Sequence, residues 1–190
     1  MANINLWNVE MIPWCAFLIV WLMGALRVKS SKAAEPLVAR AYTVILTSAA
    51  ALLLFYNKLK LGALDWRFVA PIRWIELTGI TLTYAGIALC IWARWNLGSN
   101  WSARVTLKVD HELIRSGPYA RFRHPIYSGL LLAVTGTAIV IGEWRGLLAS
   151  LVIGIMHSLK AKREEALMLA TFGDQYQSYR RETGFLFPRL

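Results

Sequence analysis

Long apolar runs separated by short charged connectors constrain this chain more than any other feature of its sequence. A helix needs about 20 residues to cross the roughly 30 Å of bilayer hydrocarbon, and residues 6–26, 37–56 and 72–95 each supply that length. Two shorter runs, 126–141 and 147–160, flank a Gly-Glu-Trp-Arg-Gly turn at 142–146. Backbone groups in lipid must be satisfied within their own segment, so runs of this kind are read as helices. With 57% hydrophobic residues and a mean hydropathy of +0.45, the chain is too apolar for an ordinary water-soluble domain. The expected fold is an all-α integral membrane protein of about five transmembrane helices, forming a single domain over residues 1–190. No basic segment and small-residue cleavage site frame the first run, so it is expected to stay attached.

The net charge of +10 admits two readings, nucleic acid or anionic lipid, and position separates them. On a five-span topology, sixteen of the 21 Lys and Arg residues fall on one side. That bias predicts an outside N-terminus and a cytosolic C-terminus, with membrane lipid and not nucleic acid as the basic partner. Cys15 and Cys90 both sit inside apolar runs, which fits neither a disulfide framework nor a metal site. Oligomeric state has no signature in the sequence.

Two polar clusters interrupt this pattern, and both fall on the cytosolic side. The first is residues 111–129, which gather His111, Glu112, Arg115, Tyr119, Arg123, His124 and Tyr127 around a Ser-Gly-Pro turn. Pro125 suits the first turn of a helix, where its missing N–H costs nothing. The second cluster is residues 160–165. No Gly or Pro lies between residues 155 and 171, so the fifth helix is expected to run beyond the bilayer to Phe172, with Gly173 capping it. From residue 147 such a helix is about 39 Å long. A short amphipathic helix carrying Tyr176 and Tyr179 then follows to near Gly184 and is expected to lie on the surface.

Lys160 and Glu164, four residues apart, share a helix face, with His157 one turn below Lys160, while Glu165 points about 100° away from Glu164. Each group has an ordinary alternative: a helix ion pair for Lys160 and Glu164, a helix cap for His124. The sequence has no His-Glu-x-x-His, phosphate-binding loop, Gly-x-Gly-x-x-Gly or Gly-x-Ser-x-Gly pattern, so no metal is expected.

Taken together the motifs are more specific. His111-Glu112-Leu113-Ile114, Gly117-x-Tyr119, Arg123-His124-Pro125-x-Tyr127-x-Gly129, Glu164-Glu165 and Phe172-Gly173-x-x-Tyr176 closely resemble the isoprenylcysteine carboxyl methyltransferase family. Leu97-Gly98-x-Asn100-Trp101-Ser102 and Thr183-Gly184-x-Leu186-Phe187-Pro188 are similar to its prokaryotic members. The resemblance covers residues 97–188, and the first three runs match in hydropathy alone. It implies an integral membrane methyltransferase that binds S-adenosylmethionine, releases S-adenosylhomocysteine, and methylates a lipophilic acceptor, such as the carboxylate of a prenylcysteine or another hydrophobic acid. The implied cofactor pocket comprises His111, Glu112, Leu113, Ile114, Tyr119, His124, Pro125, Ile126, Tyr127 and Glu164, formed by the loop before the fourth helix and the extension of the fifth. The arginine that this family places before the first glutamate falls on Lys160, with Arg163 nearby, so these two are the candidate acceptor-binding, catalytic residues. Lysine lacks the bidentate fork of arginine, which leaves the acceptor open. The competing readings are an NADPH-dependent membrane lipid or sterol reductase and a non-enzymatic membrane scaffold or transport protein.

Overall fold

The computed structural model describes residues 6–25, 37–56, 58, 60–98 and 113–189. Among these it is all-helical, with α1 over Leu6–Ala25, α2 over Leu37–Phe55, α3 over Arg73–Leu97, α4 over Pro125–Ile141 and α5 over Trp144–Glu182. These bounds agree with the five apolar runs to within a few residues, apart from the extension of α5. Two helices, over Leu6–Gly24 and Arg73–Leu97, are long and apolar enough to cross a membrane; Pro125–Ile141 and the apolar part of α2 are shorter. Large apolar side chains stand exposed on the outer faces of α1 and α2, among them Leu22, Met23, Leu37, Val38 and Ile45. A water-soluble monomer rarely presents so extensive an apolar surface.

The closest packing is between α3 and α4, and glycine makes it possible. Gly79 faces Gly136, and Gly86 faces Gly129. A Cβ added at Gly79 would lie 2.7 Å from the Gly136 carbonyl oxygen, and one at Gly129 would lie 2.6 Å from that of Gly86. Small residues at seven-residue spacing on both helices thus let the backbones touch, the usual means of helix association where lipid supplies no hydrophobic drive.

A polar knot pins α1 to this pair. Glu10 is fully buried; its Oε1 accepts from the hydroxyls of Thr83 on α3 at 2.8 Å and Thr137 on α4 at 2.6 Å. Trp14 Nε1 donates to Thr137 at 2.9 Å. At one end of the bundle Arg145 donates to the carbonyls of Leu53 and Tyr56, satisfying orphan groups that close α2. Arg94 does the same for Gly24 at the other end, at 2.9 Å. The remaining core is apolar, formed by Ala50 and Leu54 of α2, Val134, Ala138 and Ile141 of α4, and Ala149, Ile153 and Met156 of α5.

At Gly173 α5 kinks, with φ +50° and ψ −124°, a conformation suited to glycine. The kink folds the last turns back beneath residues 117–124. Tyr179 donates to the carbonyls of Tyr119 at 2.7 Å and Phe122 at 3.2 Å, and Tyr176 and Tyr179 are both buried. This corrects the expectation of a helix lying on the surface: its tyrosines find partners in the loop and become an inner wall.

Candidate functional site

The polar ends of α4 and α5 meet over the 113–124 loop, and a cavity of about 720 Å³ opens below them. At its upper end the lining is polar, with Tyr119, Arg123, His124, Tyr127, Lys160, Glu164, Tyr176 and Tyr179. Toward the bundle interior it becomes apolar, with Trp14, Phe17 and Trp21 from α1, Ala50, Ala51 and Leu54 from α2, and Leu130, Val134 and Ile153 from α4 and α5.

His124 sits at the junction. It precedes Pro125 at the start of α4, but its side chain makes no capping hydrogen bond, so the cap reading fails. The ring is stacked on Tyr127, with centres 5.6 Å apart, and meets the edge of Phe185 at 5.2 Å. Glu164 Oε2 lies 3.5 Å from Nδ1, and Glu165 Oε1 lies 3.5 Å from Nε2. Side by side on α5, the two carboxylates diverge as expected, yet they bracket one imidazole from its two nitrogens. Nε2 is buried, with its contact to Glu165 at the outer limit of hydrogen-bond range. Burial, the largest influence, pulls the His124 pKa down, but hydrogen bonding to and the charges of Glu164 and Glu165 outweigh it, and the net shift is upward.

Arg123 holds the same oxygen of Glu165, with Nε 2.5 Å from Oε1, and its guanidinium also donates to the carbonyls of Arg180 and Thr183. Burial raises the Glu165 pKa, and His124 and Arg123 more than reverse this, leaving it lowered. Residues 184–186 continue the lacing: Arg123 N–H donates to Gly184 O at 2.8 Å and Ser128 Oγ to Leu186 O at 2.5 Å. On the cavity side, Tyr127 donates to Glu164 Oε1 at 2.6 Å, and Lys160 Nζ lies 5.7 Å from the Tyr127 ring centre. Burial holds the tyrosine hydroxyls in their neutral form, pushing Tyr119 well up and Tyr179 up to about 12.

Of the residues singled out from sequence, Leu113, Ile114, Tyr119, His124, Ile126, Tyr127, Lys160 and Glu164 all line the cavity. Pro125 is buried in the first turn of α4, where it orients its neighbours. Arg163 is exposed and does not line the cavity; it stands about 100° around α5 from Glu164. His111 and Glu112 lie outside the described residues. Sequence reasoning did not give Arg123, Tyr176 and Tyr179 a place in the site, nor the α1 and α2 side chains that form its apolar arm. The three-residue spacing of Tyr176 and Tyr179, which puts both on one helix face, was the available signal.

Fold and cavity together define a class: a helical bundle with an apolar exterior, whose charged cap covers a ligand-sized cavity extending into its apolar interior. The chain belongs to the phospholipid methyltransferase family, whose model matches residues 74–175. Similar proteins include a protein-S-isoprenylcysteine O-methyltransferase of Schizosaccharomyces pombe, 39% identical over 82 residues, covering 43% of this chain and 35% of that one. The Homo sapiens protein of the same name is 30% identical over 134 residues, covering 64% and 45%. Among solved structures, a eukaryotic intramembrane Ras methyltransferase, isoprenylcysteine carboxyl methyltransferase, matches with TM-score 0.62 and 27% identity over 78% of this chain and 52% of that one. The resemblance drawn from the motifs is thereby met, and the chain spans less than half the length of these two relatives.

Proposed function

We propose that this protein is an integral membrane enzyme that transfers a methyl group from S-adenosylmethionine to a lipophilic acceptor. The observation that carries the reading is the two-ended cavity, with His124, Tyr127, Lys160 and Glu164 at one end and an apolar arm between α1, α2, α4 and α5 at the other. Its volume of about 720 Å³ lies within the range of small-molecule sites. His124, buried between Glu164 and Glu165, lines the polar end of the cavity, and Glu164 offers an acceptor for ribose hydroxyls or an ammonium group. Tyr119 and Tyr127 supply ring faces for a sulfonium. Leu113, Ile114 and Ile126 complete the apolar contacts, and His111 and Glu112 are proposed as cofactor-binding residues on the motif alone.

S-adenosylmethionine supplies the electrophilic methyl group. This chain holds the acceptor in line with that methyl and excludes water, which is where the rate comes from when the nucleophile is already a carboxylate. Lys160 binds the head of a hydrophobic carboxylate, a prenylcysteine-like acid among the candidates, while its tail occupies the apolar arm. Arg163, on the outer face, has no part in this. The combined lysine and arginine bias supports a site on the cytosolic side, with five spans and the N-terminus outside. The family of the chain and its relatives' names support methyl transfer; no observation favours the reductase reading. The test is titration of purified protein with S-adenosylmethionine and with NADPH, followed by methylation of a panel of lipophilic acids, thiols and amines. Binding of S-adenosylmethionine alone is expected; binding of NADPH alone overturns the proposal.

A further inference from the structure

The apolar arm of the cavity ends against a side chain that is held in place by hydrogen bonding. The cavity-lining residues nearest the Arg145 end of the bundle are Met11 and Trp14 of α1, Leu54 and Phe55 of α2, Val134 of α4 and Ile153 of α5. Trp14 meets the Phe55 ring nearly at right angles, with centres 5.6 Å apart, and the Phe17 ring at 6.0 Å. Its Nε1 donates to Thr137 at 2.9 Å, and the Thr137 hydroxyl donates to the fully buried Glu10 at 2.6 Å. Thr137 is fully buried on α4, three residues beyond Val134, and neither it nor Glu10 lines the cavity. The indole is therefore tied just past the last α4 residue that the cavity reaches. With its single donor satisfied and rings against two sides, it has one orientation and forms a fixed floor.

Helix rise sets the distance from head to floor. Tyr127, whose hydroxyl meets Glu164 and whose ring lies near Lys160, precedes Val134 by seven residues and Thr137 by ten, about 10 and 15 Å along α4. Lys160 and Ile153 are also seven residues apart on α5, again about 10 Å. An extended alkyl chain advances about 1.25 Å per carbon, given C–C bonds of about 1.5 Å. We propose that Trp14 limits the acceptor's tail to about 8 to 12 carbons along its main chain; the proposal rests on the methyl-transfer reading above. Trp14 is then a specificity-determining residue that touches the tail, and Thr137 and Glu10 are positioning residues that hold it.

The test measures binding of radiolabelled octanoate, dodecanoate and hexadecanoate to detergent-purified protein loaded with S-adenosylhomocysteine. Wild type is compared with Trp14→Ala, and with Thr137→Val, which keeps the indole but removes its acceptor. The variant-to-wild-type affinity ratio at each length cancels partitioning into detergent. Each carbon that a variant buries and wild type cannot is worth about fourfold. The ratio for Trp14→Ala should therefore be at least about tenfold higher for hexadecanoate than for octanoate, with Thr137→Val shifted in the same direction by less. Methylation of the same acids should follow, through KM more than kcat. A ratio that does not change with length would overturn the proposal, since a merely structural tryptophan affects every acid equally and a tail leaving sideways between α1 and α2 never meets the floor. Wild type that binds S-adenosylhomocysteine but none of the three acids also overturns this inference alone. Failure to bind S-adenosylmethionine or its product overturns the parent reading.

Discussion

At the scale of single residues, the site depends on His124 being held between two carboxylates, and this has a pH signature. The folded-state pKa of His124 lies above its ordinary 6.5, so the pairing stabilises the fold fully below 6.5 and the gain is lost as pH rises through the raised value. Glu165, lowered below 4.5, contributes above 4.5 and loses its contribution as pH falls through the lowered value. Glu164, Glu165, Arg123 and Tyr127 are the groups facing the imidazole. Chemical denaturation of wild type and His124→Gln should therefore give a stability difference that is largest between about pH 4.5 and 6.5 and shrinks at higher pH; a difference that grows with pH would contradict the arrangement. Glu164→Ala removes the acceptor of the Tyr127 hydroxyl and the proposed partner of the cofactor. Calorimetry should show S-adenosylmethionine affinity about 10- to 100-fold weaker, the range for a charged hydrogen bond, with the helical circular dichroism retained. Lys160→Ala should instead lower turnover by about 100-fold with cofactor affinity changed little, the signature of a lost positioning contact.

At the scale of elements, the α3–α4 seam and the α5 kink are where the fold is least tolerant. Gly86→Ala drives a Cβ against the Gly129 carbonyl and the Ala133 backbone, and should cost about 1–3 kcal/mol by overpacking, read as a lower thermal midpoint in detergent. Gly173→Ala meets no neighbour within 4 Å, so its cost is backbone strain alone, about 1–3 kcal/mol. Its larger effect should be on cofactor binding, because straightening the kink withdraws Tyr176 and Tyr179 from the cavity wall. The five helices and the extended α5 could be read from apolar run length and the absence of breakers between residues 155 and 171. Gly173 was readable as an end, but the direction taken after it was not, because tertiary hydrogen bonds from Tyr179 to Tyr119 and Phe122 set that direction. Glu10 went unnoticed in an otherwise apolar run, although a carboxyl inside a span calls for a partner; its partners, Thr83 and Thr137, are 73 and 127 residues away in sequence.

At the scale of the whole molecule, the sequence motifs mark the polar end of the cavity, while the apolar arm comes from α1 and α2, which carry no motif. Hydropathy identified those helices without saying which of their faces looks inward; packing against α4 and α5 decides that. The charge bias predicts that single cysteines placed at Lys58 and at Lys162 react with a membrane-impermeant maleimide from opposite sides of the membrane; labelling of both from one side would refute five spans. The account's central claim is that the two-ended cavity binds S-adenosylmethionine at its polar end, and calorimetric titration of purified wild type with S-adenosylhomocysteine tests it most directly. Saturable binding of one equivalent, weakened in both His124→Ala and Glu164→Ala and unchanged in Lys58→Ala, is the expected result. No binding, or binding weakened equally by Lys58→Ala, would contradict it.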